Sequence, residues 1–106
     1  MTSSQPFRRF GTAPADTLVR PHGLPEHLAP IWDEMLPQFS ERIGAIGLEA
    51  VCVQVYRMRE AQRLVTEKGL VIADRSGNPI ANPAIAVERA AQGEVMTWRK
   101  HFAARR

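Results

Sequence analysis

The sequence predicts a mainly α-helical domain in which helices pack around one long central helix, with a short β-hairpin between the last two helices. Two observations lead there. In three separate stretches apolar residues recur at three- and four-residue steps, the period of a helix that buries one face. Between the second and third of these, Val71 to Pro83 breaks into short apolar runs around turn residues, with Gly69 placed to end one helix and Asn82-Pro83 to open the next.

The bulk numbers suit such a domain. A chain of 106 residues, 44% hydrophobic and 24% charged, is long enough for one real but thin core, and a thin core gains from self-association. No apolar run approaches the roughly 20 residues that a bilayer span needs, and Met1 to Phe10 holds no apolar signal core, so the expected location is the cytoplasm. The single cysteine, Cys52, cannot form an intramolecular disulfide and falls on the apolar side of a helix, as a packing thiol would. His22, His27 and His101 are scattered, with no second ligand type at metal spacing, so neither a metal nor another cofactor is expected.

Residues 1–23 hold Pro6, Pro14, Pro21, Gly11 and Gly23 and no periodic apolar pattern, which predicts a flexible basic arm. Its pointed feature is Arg8-Arg9 between Phe7 and Phe10. Rings beside guanidinium groups suit base stacking and phosphate contact; equally, the two rings can tuck into the body or a neighbouring subunit.

Residues 24–106 are expected to form one α-helical oligomerisation domain. From Pro25, the residues Leu28, Ile31, Trp32, Met35, Leu36 and Phe39 follow the helical period, and Pro37 should kink or end that helix near Leu36. Gly44-Ala-Ile-Gly47 has the spacing of the nucleotide-clamping loop of KH domains, but nothing here supplies the three-stranded sheet such a loop needs. The two glycines therefore read as an elbow. A long helix from about Leu48 to Lys68 should bury Leu48, Val51, Cys52, Val55, Tyr56, Leu64 and Val65 and carry a mixed-charge face, in which Arg59 neighbours Glu60 and Arg63 pairs with Glu67.

A hairpin over about 70–82 follows, turned by Ser76-Gly77-Asn78-Pro79. Asn82 then caps a last helix with Pro83 in its first position, where the missing N–H costs nothing. Val87, Ala91, Val95, Trp98 and Phe102 form its apolar stripe, flanked by Ala86, Ala90 and Gly93. At its basic end Trp98 and Phe102 should be exposed unless a partner or another subunit covers them.

Net charge is only +3, but its distribution is uneven. Residues 24–94 hold seven Lys/Arg against ten Asp/Glu, whereas residues 95–106 hold four basic residues and no acidic one. Basic ends on a mildly acidic body suit contact with a polyanion, and they equally suit plain solvation. Catalysis finds no support. No phosphate-binding loop, dinucleotide fingerprint, H-E-x-x-H helix or cysteine pair is present, and the serines and histidines lie mostly in the arm and turns.

The order of these features resembles a known family. A Trp-containing helix with Trp32 and Leu36, an elbow, a long helix with Cys52 and Tyr56, Lys68-Gly69, a glycine turn at Gly77, and Asn82-Pro83-Ala84 opening a long helix are similar to the small terminase subunits of tailed phages and phage-like gene transfer agents. The resemblance spans about Pro25 to Phe102. It implies a non-enzymatic DNA-packaging factor that forms a ring, engages double-stranded DNA and recruits or regulates the ATP-driven large terminase. Many relatives carry a helix-turn-helix ahead of these helices, and residues 1–23 are too short and too Pro-rich to form one. Contact with DNA is therefore expected to be weak and largely without base readout.

The residues expected to touch DNA are Arg8, Arg9, Arg99, Lys100, Arg105 and Arg106. Trp98 and Phe102 are the expected contacts for the large terminase, and Ile72, Ile80, Val87, Ala91 and Val95 the expected oligomer interface. Two other classes stay open: a small transcriptional or nucleoid-associated DNA binder, and a helical protein–protein adaptor with no nucleic-acid role.

Overall fold

The computed structural model of the chain describes residues 18–104, and the expected arm lies outside them except for residues 18–23. A 3-10 turn, Glu26–Leu28, leads into helix α1, Ala29–Met35. Two more 3-10 turns, Leu36–Gln38 and Glu41–Ile43, lead to the long helix α2, Gly44–Lys68. Strands β1, Val71–Ala73, and β2, Pro79–Ala81, form the hairpin, and α3 spans Ala84–Phe102. The architecture is the one expected, mainly helical with an antiparallel hairpin between the last two helices.

At 25 residues α2 is about 37 Å long. It runs antiparallel to α3, since Gly47 near its start meets Trp98 near the end of α3, and Leu64 near its end meets Asn82. The core lies where α1 and the turns after it pack on the first half of α2, with Val95 of α3 joining them. Trp32, Phe39, Leu48, Val51 and Cys52 are fully buried there, joined by Leu28, Ile31, Met35, Ile43, Val55 and Val95. Each large apolar side chain so buried contributes on the order of 2 kcal/mol. Leu18 and Leu24 pack on the same cluster, and Arg20 reaches Asp33 at 3.8 Å.

Pro37 ends regular α1 early. The missing N–H of Pro37 leaves the chain in a 3-10 turn over Leu36–Gln38, after which Phe39 turns into the core. The glycine elbow is corrected by the structure. Gly44 does supply a left-handed φ of +74°, but α2 starts there rather than at Leu48, and Gly47 is buried inside the helix. A Cβ on Gly47 would stand 2.8 Å from Ile43 Cγ1 and 3.2 Å from Trp98 Cζ3. Gly47 is small because α3 comes close, not because the chain bends.

At the far end Gly69, with φ +93°, closes α2. The hairpin pairs Val71 with Ala81, Ile72 with Ile80 and Ala73 with Pro79. Its turn is organised by Asp74, whose Oδ1 accepts hydrogen bonds from the Ser76 and Asn78 amides, both at 2.8 Å. Gly77, at φ +86°, provides the positive φ that the reversal requires. Asn82 then fastens hairpin to helices. Its Oδ1 accepts from the Ala84 amide at 2.9 Å, which caps α3 with Pro83 in the first helical position, and its Nδ2 donates to the Gly69 carbonyl at 2.9 Å.

Candidate nucleic-acid interface

The basic residues at the end of α3 are held in place by a backbone clasp. The Ser40 amide donates to the Phe102 carbonyl at 2.8 Å, and the Ala104 amide donates to the Gln38 carbonyl at 3.0 Å. Phe39 and Ala103 thereby form an isolated antiparallel bridge. Pairing the end of α3 with residues 38–40 brings together charges that are far apart in sequence.

Arg99 and Lys100 are exposed on the last turn of α3, followed by His101. Cations there also complement the negative end of the helix dipole. The Arg99 guanidinium donates to Gln38 Oε1 at 2.7 Å and lies over the Phe39 ring, 5.8 Å from its centroid. From the other side Arg42, exposed in the Glu41–Ile43 turn, places its guanidinium 5.7 Å from the centroid of Phe102. These arginines are steadied on aromatic faces, an arrangement that fixes the charge while leaving guanidinium edges open to solvent.

Of the six basic residues expected to contact DNA, the described residues include Arg99 and Lys100, both exposed, while Arg8, Arg9, Arg105 and Arg106 lie outside them. Arg42 joins the site unannounced by the sequence. Only the long-range clasp between residues 38–40 and 102–104 brings it there.

Trp98 and Phe102 are half-buried rather than fully exposed, and their inner faces pack on the core cluster. Their rings lie 5.7 Å apart, with Trp98 against Gly47 and Phe102 beside Arg42. Part of the cover foreseen from a partner comes from the chain itself. The residues expected at an oligomer interface divide in the same way. Ala91 and Val95 are buried against α2 inside this chain, Ile72 is half-buried, and Val87 and Ile80 face solvent.

The mixed-charge face of α2 also differs from the simple helical reading. Arg63 pairs with Glu67 at 2.7 Å and with Glu60 at 3.1 Å, but Arg59 reaches across to α1, forming two bonds to the Glu34 carboxylate at 2.8 and 2.7 Å. That fork holds the Glu34 carboxyl below its ordinary range. Arg59 and Arg63 of α2 are thus engaged in ion pairs within the chain, whereas Arg99 and Lys100 at the end of α3 are in no ion pair among the described residues.

Cys52 is fully buried, and burial, with a smaller contribution from Glu49, pushes its thiol up to about 12. Such a thiol packs and does not attack. Among the described residues no group of three His, Cys, Asp or Glu side chains is placed to hold a metal ion, and no helix is long and apolar enough to cross a membrane.

No curated protein and no solved structure matches the chain significantly. The family described as phage terminase, small subunit, does match, over residues 30–103, which takes in α1 from Pro30 on, α2, the hairpin and all of α3. With the match covering most of its length, the chain belongs to the phage terminase small-subunit family.

Proposed function

We propose that this small terminase subunit assembles into a ring, touches double-stranded DNA weakly through phosphate contacts, and recruits or regulates the ATP-driven large terminase in the host cytoplasm. The family points to a DNA-packaging role and is in general a non-catalytic one. The observation that carries the reading is the family match across the whole helical domain.

The site adds a mechanism. Arg42, Arg99 and Lys100 project from one end of the molecule, and the expected contacts Arg105 and Arg106 follow directly in sequence. Arginine and lysine side chains without a groove-reading helix neutralise phosphates and release counterions, which gives affinity without base readout. A single subunit offers few such contacts, and repetition around a ring multiplies them. Arg8 and Arg9 supply further phosphate contacts in this reading. Trp98 and Phe102, half-buried at the same end, are the aromatic anchors offered to the large terminase.

The test is retention of duplex DNA by the full-length protein over a salt series. Apparent affinity should fall steeply and linearly in log–log form as salt rises, with little preference among sequences. Salt-independent retention would remove the electrostatic reading, and sharp preference for one site would require a base-reading surface. A dimer on DNA rather than a many-copy assembly would favour the transcriptional or nucleoid-associated class, and no retention at low salt would favour the adaptor.

A further inference from the structure

The two flanks of the first half of α3 differ in shape and charge. On one flank Tyr56, Ala61, Leu64 and Val87 line an open apolar groove between α2 and α3, about 450 Å³ in volume. On the other, Ile85, Ala86 and Ala90 surround a second depression of about 460 Å³, in which Arg89 is the charged residue. At the clasp end Trp98 and Phe102 pack on the core cluster, with Ile46 (86% exposed) left outside it. At the hairpin end apolar side chains stay open, with Leu70 65% and Val71 60% exposed beside half-exposed Leu64 and Val87.

Charge selects the occupant. Arg89 has no ion-pair partner among the described residues. On the opposite flank Glu60 lines the groove rim beside Arg57, and it shares Arg63 with Glu67, at 3.1 and 2.7 Å. Arg63 therefore keeps a partner when Glu60 turns outward.

We infer that neighbouring copies join by seating the Ile85/Arg89 flank of α3 from one copy in the Tyr56/Leu64/Val87 groove of the next, with Arg89 meeting Glu60 across the junction. The contact is head-to-tail: each copy presents a different flank of α3 to each neighbour, and repetition of such a contact gives a ring when the rotation between copies closes. This inference rests on the ring reading above and names its surfaces, leaving Ala91 and Val95 to the interior of each subunit.

The test is charge exchange in the full chain, read by native mass with far-UV circular dichroism on the same samples. Glu60→Arg and Arg89→Glu should each reduce the native mass while keeping the helical signal, and the double variant E60R/R89E should restore the wild-type mass. Leu64→Asp should reduce the mass with no rescue by either charge change. An assembled wild type whose mass survives all three single substitutions overturns this junction and leaves the ring reading standing. So does failure of the double variant to recover. A monomeric or two-fold dimeric wild type overturns the junction and the ring together.

Discussion

Asn82 Nδ2 donates to the carbonyl oxygen of Gly69 at 2.9 Å, so the residue that caps α3 also closes the end of α2. Its amide nitrogen completes the arrangement by donating to the Leu70 carbonyl at 2.8 Å. One buried side chain thus sets the angle at which the hairpin and the two long helices meet.

Asn82→Ala removes the cap and strands the Gly69 carbonyl and Ala84 amide together. The expected loss is about 2 kcal/mol. Thermal unfolding at fixed protein concentration should show a midpoint lower by roughly 10 °C. A shift of a degree or two would mean that the corner is held by packing alone.

Gly47 and Gly93 should respond in opposite directions. At Gly47 a side chain runs into Ile43 and Trp98, so Gly47→Val should destabilise by about 2 kcal/mol. At Gly93 a Cβ meets nothing within 4 Å, and Gly93→Ala should stabilise by about 0.5–1 kcal/mol through helix propensity. Denaturant unfolding of both variants checks the pair, and equal effects of one sign would contradict the packing assigned to Trp98.

The Glu34–Arg59 fork is half-exposed, so Glu34→Gln should cost only about 0.2–1 kcal/mol at neutral pH and less in high salt. Because the folded state holds the Glu34 carboxyl below its ordinary value, the contribution is fully present above the unfolded carboxylate range. It is lost as pH falls through the lowered value. Wild type and variant should therefore converge in stability under strongly acidic conditions, and a gap that widens on acidification would reverse the sign of the assignment.

Cys52 should stay protonated and closed to thiol reagents at pH 8 in the native protein, and react at the rate of an ordinary cysteine in urea. Rapid native labelling would show that the core around Trp32 and Val51 opens readily.

Arg99→Ala and Lys100→Ala should each weaken DNA retention across unrelated sequences and lower the salt slope by about one contact, while Lys68→Ala leaves both nearly unchanged. Full retention in an R99A/K100A double variant would move the DNA contacts away from the end of α3.

Much of this fold was legible in the sequence because its signals are local. The three helices, the cap at Asn82, the stop at Gly69 and the positive φ at Gly77 each depend on a few neighbouring residues. Asp74 is also legible, since Asp followed three residues later by Gly is a type I turn signal. The errors are long-range. Gly44 to Gly47 reads as an elbow until Trp98 is seen against Gly47, and nothing near Arg59 in sequence points to Glu34, which α1 brings within 2.8 Å. The candidate site was half legible for the same reason. Arg99 and Lys100 stand in an obvious basic run, whereas Arg42 joins them only through the pairing of residues 38–40 with 102–104.

The hairpin offers a direct probe of assembly. Ile80 is half-exposed and Ile72 half-buried, on strands too short to be stable without cover. Ile80→Asp and Ile72→Asp should reduce the native mass before they reduce helicity. Loss of helicity at full native mass would assign the hairpin to subunit stability instead.

The native mass of the wild-type protein is the most direct test of ring assembly. The expected result is a closed assembly of many copies whose mass stays constant on dilution. A clean monomer, or a dimer that falls apart on dilution, would contradict it.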